Sequence, residues 1–152
     1  MKKFILEIEP KVGFGNLKFG DTSEKIIEYL GEAEELEDIE DDDEFNTIIL
    51  NYSNQGILVF LEGAEKSVLS CFEIENDEST LFGKHIFEMN EAGITKLMNK
   101  NGYNEIETGV DEDGEKRLSF DDAMIDFFFI DDELVAVNWG VLVNEQGEIE
   151  EL

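Results

Sequence analysis

Leu50-Asn51-Tyr52-Ser53-Asn54-Gln55-Gly56-Ile57-Leu58-Val59-Phe60 and Leu118-Ser119-Phe120-Asp121-Asp122-Ala123-Met124-Ile125-Asp126-Phe127-Phe128 are two writings of one pattern. Leu50 meets Leu118, Tyr52 meets Phe120, Ile57 meets Ile125 and Phe60 meets Phe128, always at a shift of 68 residues (118 − 50). The same shift carries Phe14-Gly15 onto Phe82-Gly83, Phe19 onto Phe87 and Ile26 onto Ile94. A fixed period marks the structural unit. The chain therefore reads as a single domain, 1–152, built of two pseudo-repeats at about 12–75 and 80–142, with an acidic C-terminal tail.

Each copy has the same grammar. Ahead of the first, Phe4, Leu6 and Ile8 alternate as a strand closed by Pro10. In the first copy a glycine-punctuated lead-in, 12–20, precedes a helix start at Asp21-Thr22-Ser23-Glu24. Asp21 is expected as N-cap, with Glu24 reaching back as a capping box. Ile26, Ile27 and Leu30 share the helix face, and Gly31 ends it. Strands are expected at Thr47–Tyr52, Ile57–Glu62 and Ser67–Glu75. In the second copy Asn90 is the expected N-cap, with Ile94, Leu97 and Met98 on the apolar helix face. Strands follow at Tyr103–Thr108, Lys116–Phe120, Met124–Ile130 and Leu134–Val141. Phe127-Phe128-Phe129-Ile130 reads as a strand covered on both faces.

One helix and a few strands close a core poorly. Two copies side by side form one sheet with both helices on one face, an α+β fold of two tandem helix-plus-antiparallel-meander repeats. The other sheet face is left for solvent or a partner. Phe19, Ile26, Leu30, Phe60, Phe87, Ile94, Leu97 and Phe128, at repeated apolar positions, are the expected core.

Hydrophobic residues make up 41% and aromatics 11%, enough for a packed core despite the charge. Acids number 39 against 11 bases, a formal net charge of −28. Such a surface repels nucleic acid and anionic lipid and attracts basic proteins. No apolar stretch approaches membrane-spanning length, and the apolar run at the N-terminus stops at Glu7. With one cysteine, Cys71, no intramolecular disulfide forms. These features fit a cytoplasmic protein, either monomer or dimer.

The lead-in, short helix, Leu-Gly end and meander resemble the small repeat of the β-lactamase-inhibitor-protein-like fold, shared by small outer-membrane lipoprotein assembly factors. The matching residues are Gly20-Asp21-Thr22-Ser23, Ile26-Ile27 and Leu30-Gly31-Glu32-Ala33. Ala33 stands where that repeat carries proline, and Glu88, Asn90 and Asn99 depart from it in the second copy. The resemblance implies a domain that binds other proteins and is not an enzyme. In size and acidity the chain is also similar to the acidic immunity proteins of bacterial toxin systems.

Catalytic equipment is sparse. His85 and Cys71 are the only histidine and cysteine, too few soft ligands for a zinc site. Gly13 and Gly15 have no P-loop lysine behind them. Cys71 reads as a small buried side chain, and Trp139 as core beside Val135, Val137 and Val141. No cofactor is expected. The block Glu32–Glu44 reads as a loop, with a binding surface for a basic partner or a divalent-cation site as alternatives. The candidate partner contacts are Glu35, Asp38, Asp41, Asp42 and Asp43 in the first copy and Asp111, Asp113, Asp121 and Asp122 in the second. The expected role is a non-catalytic, acidic protein-binding domain, such as a bacterial immunity-type inhibitor of a basic toxin or enzyme. The alternatives are a structural or regulatory domain whose acidity serves solubility, and a carboxylate- or metal-dependent hydrolase.

Overall fold

Three short strands open the chain: β1 (Glu7–Glu9), β2 (Gly13–Phe14) and β3 (Leu17–Lys18). The computed structural model describes residues 5–40, 46–63, 67–144 and 148–149. Helix α1 (Ser23–Leu30) leads into β4 (Glu35–Glu40), β5 (Asn46–Tyr52), β6 (Ile57–Gly63) and β7 (Val68–Ile74). After β8 (Thr80–Leu81) and β9 (Lys84–His85), helix α2 (Glu91–Lys100) leads into β10 (Ile106–Val110), β11 (Lys116–Phe120), β12 (Ile125–Ile130) and β13 (Glu133–Gly140).

This corrects the α+β expectation of two helix-plus-meander repeats in one sheet. Strand takes 47% and helix 18%, so the chain is mostly β, and there are two sheets. The larger has eight strands in the order β10-β11-β12-β13-β7-β6-β5-β4; the smaller has five, β3-β2-β1-β8-β9. The cause lies in the glycine-punctuated lead-ins. They are hairpins, and both join β1: β2 runs antiparallel to it, and β8 parallel. Gly15 lets this happen. At φ +59° a side chain is strained, and a Cβ there would sit 1.8 Å from the Ile5 carbonyl oxygen.

The core lies between the two sheets and the helices. Phe14 of the small sheet meets Phe72 and Trp139 of the large one edge-on, at 5.3 and 5.2 Å between ring centroids. Trp139 stacks on Phe72 and donates its indole N–H to the Gly13 carbonyl at 3.0 Å. A fully buried indole needs such an acceptor, and here the bond ties one sheet to the other. Ile26 and Leu30 of α1 and Ile94, Leu97 and Met98 of α2 complete the cluster.

Local signals played out unevenly. Asn90 caps α2, its Oδ1 accepting from the Gly93 N–H at 3.0 Å. Asp21 does not cap α1: Thr22 is the N-cap and makes no side-chain bond, while Asp21 Oδ2 accepts from the Lys18 N–H instead. Ile27 is exposed, not core. Within the acidic block expected as a loop, 35–40 forms the edge strand β4, held by β5 in a register from Glu35↔Asn51 to Glu40↔Asn46.

Two core assignments are overturned. In β12, Ile125, Phe127 and Phe129 are buried, and in β6 Ile57, Val59 and Leu61 are. A period of two puts Phe128 and Phe60 on the opposite side of the large sheet, where both are only half-buried. The strand 125–130 is therefore covered on one face, not both. Phe87 is partly buried against the core.

Candidate protein-binding surface

The large sheet packs its buried face on the small sheet and the helices; on the other face, here called the open face, most of the described residues are half-exposed or exposed. Residues on the open face follow from strand register. Glu107 pairs with Ser119, Ser119 with Asp126, Asp126 with Asn138 and Asn138 with Glu73. Glu73 then pairs with Leu58, Leu58 with Asn51 and Asn51 with Glu35. One row thus crosses all eight strands, and every member but Leu58 is polar. Seven strand spacings of about 4.8 Å make it roughly 34 Å long.

Aromatic residues flank the row on opposite sides. Phe128 lies between Arg117 and Ala136, and Phe60 between Cys71 and Ile49. Asn138 is held in place, accepting from the Cys71 thiol at 3.4 Å and donating to Glu73 at 3.5 Å. Burial, with the carboxylates of Glu62 and Glu73 nearby, pushes the Cys71 thiol up to about 12. A thiol so protonated is a poor nucleophile. His85 is exposed on β9 of the other sheet, so the chain's one imidazole is not placed to activate it.

Beside the row, Glu62, Asp121, Asp126 and Asn138 rim a cleft of about 380 Å³ with Cys71 at its wall. Among the described residues the ion pairs are Lys18–Glu9, Lys25–Asp21 and Lys116–Glu91. None involves a carboxylate of the open face. Arg117 is the cation there, its guanidinium above Gly109, where a Cβ would lie 3.7 Å from Nη2. No group of three or more His, Cys, Asp or Glu among the described residues could hold a metal ion. No helix among them is long and apolar enough to cross a membrane.

The sequence-predicted contacts do not form one patch. Glu35 and Asp38 are exposed on the edge strand β4, but on opposite faces, since Glu35 pairs with Asn51 and Asp38 with the core-side Ile48. Asp41, Asp42 and Asp43 lie outside the described residues. Asp111 and Asp113 sit in the β10–β11 turn at the far edge, where Asp111 Oδ1 accepts from the Asp113 and Glu115 N–H groups, both at 2.9 Å. Asp121 is exposed and reaches the cleft. Asp122 is half-buried, and its Oδ2 accepts from the Asn104 N–H at 3.1 Å, pinning the β11–β12 turn to the segment after α2. Sequence reasoning passed over Glu62, Glu73, Glu107 and Asp126. Their signal was an acid at the outward phase of an alternating strand, as in Leu58-Val59-Phe60-Leu61-Glu62.

Comparison with protein-family models, with curated proteins and with solved structures finds no match to this chain.

Proposed function

We propose that this chain is a non-catalytic domain that binds a basic protein partner in the bacterial cytoplasm, an immunity-type inhibitor of a basic toxin or enzyme. The observation that carries this reading is the open sheet face, where Glu35, Glu37, Glu62, Glu73, Glu107 and Asp126 stand with Arg117 as the one cation among the described residues. Among the described residues these carboxylates have no cationic partner in an ion pair, and the negative potential they leave steers a basic protein and speeds its association. The half-buried Phe60 and Phe128 beside them offer apolar area for affinity. The protonated thiol and the distant imidazole argue for binding over nucleophilic chemistry.

Affinity capture from the native source at 50 mM and 500 mM salt tests the reading. A basic protein retained at low salt and released at high salt, whose toxicity is relieved by co-expression of this chain, is the expected result. A retained partner that is acidic, with salt-independent association, contradicts it. Solubility is the second reading, favoured by one observation: Glu35, Glu37 and Asp38 are exposed along the edge strand β4, where charge prevents edge-to-edge pairing.

A further inference from the structure

We infer that the open face of the eight-stranded sheet, along the row from Glu107 to Glu35, is the surface on which an extended, arginine- or lysine-bearing segment of the partner docks. This rests on the protein-binding reading and goes beyond it by naming the surface and the shape of the occupant.

Three observations lead there. The first is separation. The acids of β4 and those of the β10–β11 turn stand at opposite edges of the sheet, about 34 Å apart by strand count. Salt screens charges beyond about 8–10 Å, so the two clusters do not act as one site. A partner that meets both must cross the face between them.

The second is charge placement on that face. Along the row, carboxylates stand on β10, β12, β7 and β4 as Glu107, Asp126, Glu73 and Glu35. Their spacings are two, two and three strands, roughly 10, 10 and 14 Å. Asn138 and Asn51 between them are half-exposed and offer neutral hydrogen-bonding groups, whereas Ser119 is buried. A chain rising about 3.3 Å per residue covers the row with about ten residues. Its cationic side chains meet acids at intervals that long, flexible arginine or lysine stems can match.

The third is the pair of half-buried rings. Phe60 and Phe128 stand on opposite sides of the row, on β6 and β12. They form apolar shoulders for the aliphatic stems of those side chains, and a ring face beside a guanidinium adds cation–π attraction. A second copy of this chain is a poor occupant, because two surfaces of net charge −28 repel.

Backbone amide shifts in an NMR titration with a deca-arginine peptide at low salt test the inference. Perturbations are expected at Leu58, Phe60, Glu73, Asp126, Phe128 and Asn138. The double substitution Glu73→Gln with Asp126→Asn should weaken binding roughly tenfold. Its charge-matched counterpart in the β10–β11 turn, Glu112→Gln with Asp113→Asn, should change it less than about twofold. The buried Trp139 reports by fluorescence that each variant is folded. Perturbations confined to the β10–β11 turn and the β4 edge, or equal losses from both double variants, overturn the face while leaving a basic partner in place. A dimer of the free protein that Phe128→Glu dissolves gives the face to a second copy and also overturns it. No response to the peptide anywhere removes the basic-partner reading itself.

Discussion

Cys71 and Tyr52 show how single residues record their surroundings. Burial pushes both upward, the thiol to about 12 from its ordinary value near 9 and the phenol to about 12 from near 10. Glu62 and Glu73 add to the effect at Cys71, and Glu32 at Tyr52. The folded chain therefore holds both protons more tightly than the unfolded chain does. The stability they contribute is fully present below pH 9 and is lost as pH rises towards 12. Urea midpoints measured from pH 8 to pH 11 should fall, and Tyr52→Phe should make the fall shallower. A midpoint that holds steady to pH 11 contradicts these environments. Tyr52 also donates to the Gly31 carbonyl at 2.9 Å, so that substitution should lower the midpoint below pH 9, where the phenol is protonated in both states.

At the scale of the element, β12 carries the clearest lesson. Phe127, Phe128 and Phe129 are adjacent and chemically identical, yet the pleat sends the middle one to the opposite side. Phe127 is fully buried and meets Phe120 edge-on at 5.9 Å, whereas Phe128 borders the open face. Phe127→Ala should cost about 3–5 kcal/mol, as for other large core deletions. Phe128→Ala removes partly solvated area, leaves no closed cavity and should cost about 1 kcal/mol. Denaturant melts of the two variants measure the difference, and equal losses would mean that the facing is wrong. Bulges between Phe128 and Phe129 and between Phe60 and Leu61 shift the register in the corresponding strands. Such bulges bend the sheet and strengthen its twist.

Across the whole molecule the dominant quantity is charge. A net charge of −28 makes the folded state repel itself more than the expanded one does. Among the described residues the ion pairs Lys18–Glu9, Lys25–Asp21 and Lys116–Glu91 are partly exposed and worth little each. Added salt screens the repulsion between charges farther apart than about 8–10 Å. The melting temperature should therefore climb across a sodium chloride series from 10 to 500 mM at pH 7. A flat or falling series would show that self-repulsion does not govern stability. The same field underlies the proposed partner binding, so salt should stabilise the free domain while it weakens the complex.

What the amino-acid sequence determined by itself is local and periodic. It set the spans of most strands, because alternation is written residue by residue: Lys116–Phe120 is found as read, and Ile57 and Ile125 open β6 and β12. It set the Asn90 cap and the inward face of α2, which need only neighbours three or four residues away. The acidity of the open face was legible as composition but not as a place. Tertiary structure alone decided that the lead-ins pair through β1 into a second sheet, since that pairing joins Glu7 to Thr80, far apart in the chain. It decided that β4 is a strand, because β5 supplies hydrogen bonds that outweigh the repulsion within the acidic block. It decided, too, which phase of an all-apolar strand faces the core, because Phe60 and Phe128 are as hydrophobic as their buried neighbours. Only the position of Phe14, Phe72 and Trp139 on one side breaks that tie.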